Sequence, residues 1–276
     1  MPYVRRVADV PVALVDEVVA ALAQAGTLGI EESRQVDGVQ RLVAYFAAGG
    51  GGDVELPAGV RWFEEGVVPA ADWLASYRES AQPLEVGERF VIDPREPDEP
   101  APAVAAGRML LRVPARSAFG TGSHASTRLA LRLLERLELA GRSVLDVGIG
   151  SGVLAMAASK LGAARADGFD VDVAAALLAG QHARLNGLRV RVWAGGSAAL
   201  AARAQWDVVV VNALPHEVLP EAERIAAAVA ERGALVISGV LASEGEATLR
   251  AWAAHGLAPV DTLAEEEWAA WTLKRA

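Results

Sequence analysis

The stretch Val144–Ala163, VLDVGIGSGVLAMAASKLGA, constrains this chain more than any other part of it. An apolar run ends beside Asp146, glycines follow at alternate positions (Gly148, Gly150, Gly152), and a helical pattern begins at once. Glycine lets the chain turn tightly and lets a ligand approach the backbone, while a helix start offers unpaired N–H groups. A turn of this kind, at the carboxyl end of the first strand, is where open α/β sheets bind nucleotides. The spacing is G-x-G-x-G. The dinucleotide pattern G-x-G-x-x-G would place its third glycine one residue later, where this chain has Val153. A plain strand-to-helix turn without a ligand is the simpler alternative.

From Met109 onward the chain alternates between two periodicities, as a parallel sheet with helices on both faces requires. Strands are expected at Ser143–Val147, Ala166–Asp170, Arg189–Ala194, Asp207–Asn212, Ala234–Ser238 and Trp268–Leu273. Helices are expected at Gly152–Leu161, Ala174–Asn186, Glu217–Ala230 and Ser243–His255. The run DVVVVN at Asp207–Asn212 has the look of a central strand buried on both sides. Two strand ends carry polar groups. Asp170, in GFDVD, is placed to accept both hydroxyls of a ribose, with Asp172 as a neighbour that could instead cap the next helix. Asn212 offers a donor and an acceptor to the cleft, or else it merely closes its strand.

The first hundred residues differ. An amphipathic helical pattern (Val15, Val18, Val19, Leu22) is followed by strand-like pieces at Thr27–Glu31 and Gln40–Phe46 and a flexible tip at Gly49–Gly52, a small α+β unit. A short helix is expected at Asp72–Arg78, a strand at Arg89–Asp93, and a proline-rich loop at Asp93–Gly107. A length of 276 residues suits two unequal domains: 1–71, a linker helix region 72–90, and 91–276. Charge is uneven too. Four Arg face eight Asp and Glu in residues 1–60 and four face ten in 61–100, whereas the rest of the chain is close to neutral. An acidic front end repels phosphate backbones, so no direct nucleic-acid binding is expected; it either favours a basic partner or only keeps the chain soluble.

Composition removes several classes. With 53% hydrophobic residues the chain is not mainly disordered. Its longest strongly apolar run, Val208–Val211, is far too short to span a membrane, and the start MPYVRRVADVPV has no signal-peptide pattern, so a soluble cytoplasmic protein is expected. No cysteine means no disulfide, thiolate zinc site or thiol nucleophile, and four histidines make a metal site unexpected. The seven tryptophans are scattered, which suits packing better than base stacking.

The acidic residue two positions before G-x-G-x-G resembles motif I of the class I S-adenosylmethionine-dependent methyltransferases. The loop SAFGTGSHASTRLALRLLERL (Ser117–Leu137) is similar to the AFGTGxHxTT segment of one group within them, the ribosomal protein L11 methyltransferases. Further similarities follow in the same order: KLGA, GxDxD, Leu185-Asn186-Gly187, an N-x-L strand end, LVISGVL (Leu235–Leu241) and Glu267-Trp268. The resemblance covers residues 72–276; for 1–71 it rests on size and α+β pattern. Three places depart from the pattern: Pro114-Ala115-Arg116-Ser117 where D-P-G is usual, Ile149 for Cys or Thr, and Ala213-Leu214-Pro215 after Asn212.

The resemblance implies a seven-stranded Rossmann-like α/β methyltransferase domain preceded by a small α+β substrate-recognition domain. It implies S-adenosyl-L-methionine as cofactor, held by Thr127, Gly148, Gly150, Gly152, Asp170 and Asn212. Asn212 would be the catalytic residue that orients the acceptor amine. Phe119, Thr121, Gly122, His124 and Leu214 would form the lid and substrate contacts. His124 is weighed as a base and as a helix cap; His182, His216 and His255 read as structural or solvent-facing. The substrate implied is ribosomal protein L11, a basic protein, methylated on lysine ε-amines or its N-terminal amine by a monomeric enzyme. Other readings stay open: a class I methyltransferase for another protein or small molecule, a nicotinamide-dependent oxidoreductase, or a non-catalytic ribosome-associated binder.

Overall fold

The computed structural model describes residues 3–25, 27, 29–32, 38–47, 54, 56–68, 82–114, 124–200 and 204–275. The chain divides into two compact units, Met1–Ser80 and Ala81–Ala276. The helix expected at Asp72–Arg78, the Gly49–Gly52 tip and Phe119, Thr121 and Gly122 of the expected lid lie outside the described residues.

In the first unit, β1 (Tyr3–Pro11), β2 (Gly29–Glu32), β3 (Val39–Ala47) and β4 (Trp62–Val68) form an antiparallel sheet in the order β2-β3-β1-β4. Helix α1 (Val15–Gln24) contributes Val18 and Leu22 to a core shared with Val10, Leu42 and Phe46 of the sheet. The central strand β1 was not visible as a strand, because YVRRVADVP has apolar residues at both parities. Its Val7 is as buried as Ala8 on the opposite face. Edge strand β4 was hidden for the opposite reason: most of WFEEGVV is exposed.

The second unit begins with β5 (Leu84–Val86), β6 (Phe90–Asp93) and β7 (Met109–Arg112), a small mixed sheet. The proline-rich stretch between β6 and β7 has no helix or strand, and Arg112 ties it down by donating to the carbonyls of Glu96, Pro97 and Glu99. Helix α2 (Ala125–Glu135) then leads into alternating elements: β8 (Ser143–Val147), α3 (Val153–Lys160), β9 (Arg165–Asp170), α4 (Val173–Leu185), β10 (Val190–Ala194) and β11 (Trp206–Asn212). The chain closes with α5 (Pro215–Val218), α6 (Ala222–Ala228), β12 (Val229–Leu241), α7 (Gly245–Ala253), β13 (Leu257–Glu265) and β14 (Trp268–Arg275).

These strands make a seven-stranded sheet in the order β10-β9-β8-β11-β12-β14-β13. Pairing is parallel from β10 to β12, and β14 runs antiparallel to both β12 and β13. The order reverses beside β8, which opens a crevice at the carboxyl ends of β8 and β11. The period of two sorts the core: Val144, Val208, Val210 and Val236 face α2 and α3, while Leu145, Val209, Val211, Leu235 and Ile237 face α6 and α7. Buried on both faces, β11 needs its uninterrupted valines.

One expected element changes. The helix expected over Glu217–Ala230 is broken by a single 3-10 turn at Leu219–Glu221, where Pro220 has no N–H to continue an α-helical ladder. It also ends early. Val229, fully buried, already pairs with Trp206 as the start of β12. Asn186, first noticed only inside Leu-Asn-Gly, mimics a neighbouring strand: its amide donates to Arg112 O at 2.7 Å and accepts from Arg112 N at 2.8 Å. Among the described residues no helix is long and apolar enough to cross a membrane.

Candidate functional site

The crevice is a cavity of about 920 Å³, walled by the glycine turn, the ends of β9 and β11, the start of α2 and the segment Leu214–Ile225. The turn from β8 into α3 has Gly148, Gly150 and Gly152 at φ of +70°, +50° and +83°. Gly152 is tight on a second count as well: a Cβ there would stand 3.1 Å from that of Ala179 on α4. At Gly148 a Cβ would meet nothing within 4 Å, so the backbone there faces open space.

Asp170 fastens this turn to the neighbouring strand end. Its Oδ2 accepts from Gly150 N at 2.9 Å and its Oδ1 from Asp172 N at 3.0 Å. Asp172 is a helix cap, accepting from Ala174 N at 2.8 Å. Behind the turn, Asp146 is fully buried and accepts from Ala155 N at 3.1 Å. Burial pushes its pKa well above the usual carboxylate range; the Asp170 charge adds to that rise and the Ala155 bond opposes it. Burial thus favours the neutral form of Asp146.

A stability test follows from this. Unfolded, Asp146 ionises above pH ~3.9. The raised folded pKa makes its contribution complete below that pH and lost as pH rises through the folded value. Asp146→Asn, which keeps an acceptor for Ala155 N–H and cannot ionise, should be more stable than the native chain at neutral pH. The gap in melting temperature should widen between pH 4 and pH 8; a constant gap would sink the assignment.

On the other side, Asn212 at the end of β11 donates from Nδ2 to Thr127 Oγ1 at 3.2 Å, and Thr127 is wholly buried on α2. Asn212 Oδ1 is buried and has no hydrogen-bond partner among the described residues. Leu214, 40% exposed, starts α5, and its N–H donates to Glu217 Oε2 at 3.2 Å. His124 caps α2: its Nδ1 accepts from Ser126 N at 3.3 Å and bonds Ser126 Oγ at 2.8 Å. The ring packs edge-on to Trp268 with centroids 4.7 Å apart. Burial, with Arg128 second, lowers the His124 pKa, against a smaller opposing pull from Glu267 and Glu266.

His124, Gly148, Gly150, Asp170, Asn212 and Leu214 thus line one cavity, with Thr127 behind Asn212 and Gly152 at the helix start. Trp268, Gly239, Ser197 and Glu221 also line it and were not singled out as site residues; only Trp268 and Gly239 had any signal, inside segments noted for resemblance. His182 is buried and bonds Ser151 O at 2.9 Å, which holds α4 against the glycine turn.

The strand order, the G-x-G-x-G turn and the acidic end of the next strand together define the class I S-adenosylmethionine-dependent methyltransferase fold. The family model described as ribosomal protein L11 methyltransferase (PrmA) matches residues 58–276. The chain belongs to that family. A Deinococcus radiodurans ribosomal protein L11 methyltransferase is 35% identical over 270 residues, covering 92% of each chain. One from Geobacter metallireducens is 37% identical over 198 residues, 71% of this chain and 64% of its own length, so the match spans just under two thirds of that relative. The crystal structure of a ribosomal protein L11 methylase from Lactobacillus delbrueckii subsp. bulgaricus superimposes with a TM-score of 0.65 at 25% identity, covering 70% of this chain and 98% of its own.

The residues present fit S-adenosylmethionine. A carboxylate ends the strand beside the glycine turn, open backbone at Gly148 leaves room for an amino-acid tail, and the Asn212 oxygen has no partner among the described residues.

Proposed function

We propose that this chain is an S-adenosylmethionine-dependent protein methyltransferase that methylates amines of ribosomal protein L11. The observation that carries the reading is Asn212: anchored through Nδ2 by Thr127, it lines the cavity at the end of β11, and its carboxamide oxygen has no hydrogen-bond partner among the described residues. The cofactor supplies a methyl group on a sulfonium, which is open to direct attack by a neutral amine. Asp170 accepts the ribose hydroxyls, and the backbone of Gly148, Gly150 and Gly152 lies along the remainder of the ligand. Asn212 Oδ1 accepts an N–H of the acceptor amine and so aims its lone pair, and the backbone to Leu214 continues that wall. Alignment of this kind is the main catalytic contribution available without a covalent step. In this reading His124 serves as the cap of α2 rather than as the base.

Residues 1–71 serve in this proposal as the substrate-recognition domain, and their acidity suits a basic ribosomal protein in the cytoplasm. A monomer acting without nucleic acid is sufficient for this. Ala213-Leu214-Pro215, which departs from the family pattern beside the acceptor, favours a second reading in which another protein or a small molecule is methylated. One experiment separates them. The protein is incubated with methyl-labelled S-adenosylmethionine and ribosomal proteins from cells that lack it. Label on the L11 band alone is expected; label elsewhere, or none, overturns the L11 assignment.

A further inference from the structure

His182 on α4 has only 4% of its surface exposed, and its Nδ1 lies 2.9 Å from Ser151 O in the glycine turn. A carbonyl oxygen only accepts, so the ring donates from Nδ1. Burying an imidazole is unfavourable unless its polar atoms are met, and an apolar side chain would fill the same space without that penalty. The ring is therefore explained by what it bonds. Ala179, three residues earlier on the same face of α4, is what a Cβ on Gly152 would meet at 3.1 Å. Asn186, four residues later on that face, donates from Nδ2 to His182 O at 2.8 Å and to Arg112 O at 2.7 Å. The imidazole thus projects from a helix that is packed one turn before it and tied down one turn after it.

The turn needs such a hold. Three of the five residues Gly148–Gly152 are left-handed glycines, and glycine has more backbone freedom to lose than any other residue. The backbone is fixed at three points. Gly150 N–H donates to Asp170 Oδ2, Gly152 N–H donates to Ile149 O at 2.8 Å, and Ser151 O accepts from His182. The last two bonds grip both ends of one peptide unit, Ser151–Gly152. Asp170 lines the cavity and is shared with the ligand in the proposed site, whereas His182 does not line it. Its bond shapes the turn from behind, with no ligand contact of its own.

We propose that His182 is a positioning residue for the cofactor: by holding the Ser151–Gly152 peptide it keeps the glycine turn in its binding shape, so that the ligand does not have to order it. The proposal rests on the reading that this turn lies along S-adenosylmethionine. Calorimetry with S-adenosylhomocysteine as the probe tests it without turnover. His182→Asn carries an amide nitrogen the same number of bonds from the backbone as Nδ1, and should bind within about twofold of the native chain. His182→Gln carries its nitrogen one bond further out and His182→Leu carries none; both should bind about five- to tenfold more weakly, the worth of one hydrogen bond. All three lose ring packing and should melt lower, so rescue by Asn alone is a result that space-filling cannot give. Leu257→Ala empties a buried position on the edge strand β13 and should lower the melting temperature with native affinity kept. If His182→Leu does not fold, the Asn and Gln pair decides. Equal affinity in the His182 variants, or affinity that follows melting temperature through them and Leu257→Ala, overturns the positioning role. No binding of S-adenosylhomocysteine by the native chain brings down the cofactor reading instead, and this proposal with it.

Discussion

Gly239→Ala should destabilise the protein by about 2–5 kcal/mol, the sum of a left-handed backbone cost and overpacking. Gly239 sits in β12 at φ +79°, a region that L side chains rarely adopt. An added Cβ would lie 2.8 Å from both the N and the O of Ala213, which is backbone and cannot swing away. Ala213 directly follows Asn212, so any relief of this clash moves the strand end that carries the carboxamide. Cofactor affinity should fall together with stability. Gly107→Ala is the control: its φ is +88° but nothing lies within 4 Å of the added carbon, so it bears only the backbone cost of about 1–2 kcal/mol. Urea denaturation of both variants decides the matter. Equal midpoints would show that the approach to Ala213 is not tight.

The same pair shows what the sequence makes legible and what it hides. The glycine turn and DVVVVN could be read directly, because burial on both faces and a backbone that must turn sharply each force a local residue pattern. Gly239 sat in LVISGVL without any local sign that it meets Ala213, a contact made only when β11 and β12 pair. Asn212 and Thr127 were each named, but their hydrogen bond joins residues 85 apart in the chain, and no spacing rule reaches that far. Ser197 and Glu221 were missed altogether; each reads as an ordinary polar residue until two separate turns bring them together. Strand β13 was overlooked because, as the sheet edge, it leaves most of its residues partly or wholly exposed and shows no apolar run. Helix caps were more legible. Asp172 was foreseen as a possible cap, and His124 proved to be one.

Asp170→Ala should weaken S-adenosylmethionine binding by at least about a hundredfold, the loss of two hydrogen bonds to a charged group. The carboxylate has a double task. In the proposed site it accepts the two ribose hydroxyls, and in the structure it already holds Gly150 N–H and Asp172 N–H, one on each oxygen. Removing it therefore loses ligand contacts and also releases the glycine turn that shapes the rest of the site. Asp170→Asn separates these tasks. Its single carbonyl oxygen can replace one acceptor but not both, so its affinity should fall between the native chain and the alanine variant. A third readout comes from Asp146, whose raised pKa owes part of its shift to the Asp170 charge. In either variant that part disappears, and the decline of stability with rising pH caused by Asp146 should become shallower. Unchanged affinity in Asp170→Ala would remove the centre of the binding model. A loss of affinity with an unchanged pH profile would leave the ribose role standing and sink only the coupling between the two carboxylates.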